Sequence, residues 1–110
     1  MRLYVVILSD IKAIDNDEKF AKYVFNNNFE YWRYMALNWI LATPDHISTN
    51  DIVGNLFDAY GSIFFTVLEV TINDFGGIFP SNKKLEGQTP FDWFNKIKDK
   101  SFVPQWEIKK

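Results

Sequence analysis

The stretch FEYWRYMALNWILAT, residues 29–43, decides how this chain is read. It is aromatic and strand-like, yet far longer than the 5–6 residues of an average strand. Two strands in a hairpin fit it, with the reversal between Met35 and Asn38, where neither Gly nor Pro marks the turn. Pro44 stops the second strand, and Ser48-Thr49 with Asp51 supplies a helix N-cap and a first-turn acid. Ile52, Val53, Leu56, Phe57 and Tyr60 form the apolar stripe of that helix, and Gly61 suits a left-handed residue at its end. IFFTVLEV, residues 63–70, follows as a strand.

Upstream, LYVVIL at residues 3–8 is apolar on both faces, which predicts a central strand covered on both sides. Asp15, Asp17 and Glu18 precede Phe20, Ala21, Val24 and Phe25, so a helix is predicted over 16–26, ended by Asn26-Asn27-Asn28. The order strand, helix, strand, strand, helix, strand defines an α+β chain with the ferredoxin-like βαββαβ arrangement. That is an antiparallel four-stranded sheet with both helices on one face. Residues 1–78 make this domain. Residues 79–110 make a C-terminal extension that packs on the sheet or on a partner subunit. Thr89-Pro90 with Asp92 starts a helix over 90–98, and SFVPQWEI, 101–108, is an extended segment.

Composition narrows the function classes. The 110 residues make one domain, and 47% hydrophobic against 24% charged excludes a disordered chain. Leu3 to Leu8 is the longest apolar run, too short for a bilayer, so no membrane association and a cytoplasmic location are expected. The absence of cysteine excludes disulfides, thiolate nucleophiles and zinc fingers. Net charge is −2 but divides unevenly: residues 1–82 carry 5 Lys/Arg against 10 Asp/Glu, and 83–110 carry 7 Lys against 4 acids. An acidic body of this kind is a poor general surface for nucleic acid.

Few residues point to chemistry. Asp74-Phe75-Gly76 spells the metal-binding tripeptide of protein kinases, but the chain has no phosphate loop and is too short for a kinase. Gly76-Gly77 reads instead as a bend that needs positive φ. His46, the one histidine, lies in a Pro-Asp-His turn with no nucleophile elbow to serve. Asp10 stands at the carboxyl end of the first strand, where a carboxylate can meet a hard cation such as Mg²⁺, or simply turn the chain toward the helix. Tyr31, Trp32, Tyr34 and Trp39 could stack bases. Arg33 is, however, the only basic residue between Lys22 and Lys83, so core or interface packing explains the rings better.

The series LYVVILSD, WRYMALNWILAT, STNDIVGNLFDAYG and FFTVLEV followed by Gly-Gly resembles the SinR-like family of small ferredoxin-like bacterial proteins, over about residues 3–78. Those are relatives of the VapD ribonuclease toxins and of the small nuclease of CRISPR adaptation. The resemblance implies a dimer, commonly with a C-terminal strand added to the partner's sheet, a part SFVPQWEI could play. In the nuclease branches it implies an aspartate at the place of Asp10 as metal ligand.

Two functions follow as expectations. The first is a non-catalytic, self-associating interaction module, a homodimer with a possible protein partner and no cofactor, in a bacterial or phage defence or toxin setting. The alternative is a Mg²⁺-dependent ribonuclease or deoxyribonuclease in which Asp10 is catalytic and metal-binding, the one case calling for nucleic acid. Interface residues are expected at Trp32, Tyr34, Trp39, Phe102 and Trp106. Apolar residues at both parities of the strands demand a cover on the sheet face that the helices leave bare. The tail is expected to supply part of it and a second copy the rest.

Overall fold

The structure is a computed structural model, and it describes residues 1–10, 17–61, 63–77 and 88–108. Asp15 and the boundary at 78/79 lie outside the described residues. The elements are β1 (Arg2–Leu8), α1 (Asp17–Asn26), β2 (Glu30–Met35), β3 (Asn38–Thr43), α2 (Thr49–Tyr60), β4 (Phe65–Val70), α3 (Pro90–Lys98) and α4 (Gln105–Ile108). The four strands form one antiparallel sheet in the order β2-β3-β1-β4, a mixed α+β architecture consistent with the ferredoxin-like fold.

Each boundary has a local cause. β1 is central, with Val5 between Ile40 of β3 and Leu68 of β4, but the expected cover on both faces is only half present: Tyr4, Val6 and Leu8 are buried on one face, whereas Ile7 is 42% exposed on the other. α1 stops where Asn28 takes φ 55°, a left-handed conformation that asparagine tolerates, and Phe29 N–H closes on the Val24 carbonyl at 3.1 Å. The hairpin reverses at Ala36-Leu37, with a register shift between Trp32 and Met35. No turn glycine is needed because Arg33 reaches over the reversal and donates to the carbonyls of Met35 and Ala36. Both predicted helix starts carry a complete capping box, Ser48 with Asp51 and Thr89 with Asp92.

Glycine plays other parts than expected. Gly61 is right-handed at φ −56°, and its lack of a side chain matters because a Cβ there would lie 2.7 Å from the Phe57 carbonyl oxygen. Gly76 has no positive φ and open space around it, so the bend after β4 does not depend on it.

Two apolar clusters flank the sheet. On one face Tyr4, Val6, Leu8, Trp39 and Leu41 meet Phe20 and Val24 of α1 and Ile52, Leu56 and Tyr60 of α2. On the other, Trp32, Tyr34 and Ala42 meet Trp93, Phe94 and Ile97 of α3, with Ile72, Phe75, Phe91, Phe102 and Trp106 around them. Two stripe residues point outward: Phe57 is 65% exposed, and Phe25 is exposed beside the Tyr31 ring at 5.3 Å. The extended reading of the tail holds only in part. Residues 102–104 are irregular, but 105–108 wind into one helical turn, and the tail lies on its own sheet rather than standing free as a strand.

Candidate functional site

Asp10 lies half-buried just past the end of β1, where Ser9 N–H donates to the Phe64 carbonyl at 3.0 Å. The hairpin turn reaches the same end of the sheet, since Leu8 N–H donates to the Leu37 carbonyl at 2.9 Å. There the structure assembles a polar network that no motif announces. Arg33, with its guanidinium over the Trp39 ring at 4.3 Å, pairs with Asp17 at 3.1 Å. The Tyr60 hydroxyl donates to Asp17 at 2.5 Å. Burial and the Asp17 hydrogen bond push the Tyr60 phenol well above its usual range, so it acts as a donor and not as a phenolate base. The network ties the first residue of α1, the hairpin and the last residue of α2 together.

Among the described residues, no three His, Asp or Glu side chains come together as a metal-binding group, and of the two carboxylates at this end Asp17 is already held by Arg33 and the Tyr60 hydroxyl. His46 and Asp74 are likewise apart from any such group; Asp74 accepts from Phe75 N–H, and Phe75 packs on Phe94 with ring centroids 4.9 Å apart. The kinase-like tripeptide is therefore an anchor between the β4 exit and α3.

The five residues expected at an interface take different positions. Trp39 is buried under α1 and α2, where its ring meets Phe20 edge-on at 5.3 Å. Trp32 and Tyr34 are buried beneath α3, and their polar atoms explain why these rings are not Phe. The Trp32 indole donates to the Pro90 carbonyl at 3.3 Å, and the Tyr34 hydroxyl to the Gln88 carbonyl at 2.6 Å. Phe102 and Trp106 are half-buried at the edge of the same cluster. Glu30, only 4% exposed, joins three elements: Lys96 of α3 lies 3.4 Å from one oxygen, and Gln105 of α4 donates to the other at 2.8 Å. Nothing in a linear reading separates this glutamate from a solvated one.

The tail covers only half of its face. Over β2 and β3 it buries Trp32, Tyr34 and Ala42, but over β1 and β4 the side chains Ile7 (42%) and Leu68 (48%) stay exposed, with Val5 and Val70 half-buried beside them. Phe64, at the mouth of β4, is 87% exposed. β4 pairs with β1 alone, so its outer edge is unpaired among the described residues, and no Lys, Pro or bulge guards it.

The chain matches no protein-family model, and no curated protein or solved structure matches it either. What the coordinates define is a class: a small α+β protein with one sheet face sealed by helices and the other sealed halfway. No helix among the described residues is long and apolar enough to cross a membrane.

Proposed function

We propose that this protein is a self-associating interaction module on a ferredoxin-like framework, a homodimer that buries the bare half of its sheet. The carrying observation is the apolar strip of Ile7, Leu68, Val5 and Val70 beside an unguarded edge strand. An apolar strip of this kind on a soluble protein marks a contact surface. A second copy suits it because a two-fold contact needs only self-complementarity: the strip is uncharged, and its neighbour Glu69 is already neutralised by Arg2 at 2.9 Å. The SinR-like resemblance supports the same reading and adds a bacterial or phage defence or toxin setting.

Sedimentation at micromolar concentration, in low and in high salt, tests this. Hydrophobic burial predicts a dimer in both. A 13.0 kDa species throughout overturns the reading. A dimer that dissociates as salt rises assigns the contact to charge and overturns the role of the strip.

A further inference from the structure

A cleft of about 570 Å³ opens at the opposite end of the sheet, between the β3–α2 connection and the tail. Its volume is that of a small-molecule site. Ile47 and Phe102 give it an apolar side, and Asp45, His46, Trp106 and Glu107 give it polar and aromatic groups.

The commitments of these groups differ. The Asp45 carboxylate holds the Met1 ammonium, and the Phe102 ring carries the Lys96 ammonium 5.4 Å from its centroid. Two residues of the cleft thus already bind cations, one by charge and one through a π face. Trp106 and Glu107 offer the same two chemistries side by side, because the single turn of α4, closed by Glu107 N–H on the Pro104 carbonyl at 3.1 Å, sets them on the cleft wall. Among the described residues, neither side chain enters a hydrogen bond, ion pair or ring contact.

We propose that this cleft binds an organic cation, an alkylammonium or guanidinium group on an apolar stem. The stem lies along Ile47 and Phe102, and the charge sits between the Trp106 indole and the Glu107 carboxylate.

The test is an NMR titration of the full chain with n-butylammonium and n-butylguanidinium, with n-butanol as the neutral control. The reporter is the Trp106 indole N–H, one of 4 tryptophans, identified by its loss in Trp106→Phe. Saturable shifts are expected with both cations and not with the alcohol. Glu107→Gln should weaken binding about 3-fold, the size of a lost exposed ion pair. Trp106→Leu, followed at the Ile47 amide, should weaken it by about 3-fold as well. Signals from β1 and β3 report in each variant that the fold is intact. An absent or unsaturable shift, an alcohol that binds as well as the cations, or unaltered affinity in Glu107→Gln overturns the proposal. Leu68→Lys, on strand β4 at the bare strip, should leave the titration unaltered, so failure of the dimer and failure of the cleft are separable.

Discussion

Replacing Leu68 by lysine puts a charge in the middle of the bare strip. Leu68 faces Val5 across the β1–β4 ladder and is 48% exposed in the single chain. Full burial of a leucine is worth about 2 kcal/mol, so a partner that covers the exposed half gains about 1 kcal/mol. A two-fold contact counts each side chain twice, which makes about 2 kcal/mol, or about 30-fold in the dimer dissociation constant. That figure is a floor, because Leu68→Lys also strips water from two ammonium groups brought into one interface. The isolated chain loses far less, about 1 kcal/mol at most, since the lysine stem covers the same neighbours and its head reaches water. Sedimentation velocity across a concentration series measures the first quantity, and thermal melting at low concentration measures the second. Leu68→Lys that dimerises as tightly as the parent would refute the strip as the contact surface.

The remaining predictions concern the tail, the caps and the sheet end. Glu30→Ala strands Lys96 and unties Gln105, at a cost of about 2 kcal/mol. Hydrogen exchange should show the loss of protection concentrated in residues 90–108; uniform loss across α1 and α2 would contradict a local tie. Asp51 lies below the usual carboxylate range because the Ser48 N–H and hydroxyl donate to it, as do Glu69 beside Arg2 and Asp99 beside Ser101. Each binds a proton more weakly folded than unfolded, so its contribution is whole above about pH 4 and fades as pH falls through the folded value. The stability gap between the parent and Asp51→Asn in chemical denaturation should therefore narrow on acidification; a gap that widens would mean the sign is wrong. Labelled RNA and DNA are expected to survive equally with the parent and Asp10→Asn in Mg²⁺, whereas cleavage by the parent that Asp10→Asn abolishes would replace the module with the nuclease.

What could be read in advance was whatever depends on residues near in sequence. Ser48 with Asp51 and Thr89 with Asp92 form caps over three residues, and both starts are where the spacing puts them. Tyr31 and Trp39 lie on one face and Trp32 and Tyr34 on the other, an alternation that is a property of the strand itself. The tail's helix was legible from its cap, but the turn at 105–108 was not, because four residues carry no period. Gly61 misled for a related reason: its use is a close approach to the Phe57 carbonyl, which a sequence shows no differently from a positive φ. The network of Asp17, Arg33 and Tyr60 spans 43 residues and has no spacing to betray it. The same holds for Glu30 and Gln105, which are 75 residues apart.

The Arg33 bridge over the hairpin reversal bears on how this chain reaches its native state. A turn built on Asn-Gly closes from its own two residues and can seed a hairpin early. Here the carbonyls of Met35 and Ala36 are satisfied by an arginine whose orientation is set by Asp17, at the start of α1, and by the Trp39 ring. The reversal is thus a product of long-range assembly rather than a seed for it. An excised 29–43 peptide should stay unstructured, and the β2–β3 pairing should mature only after α1 has docked, which places this small protein toward the slower end of its size class.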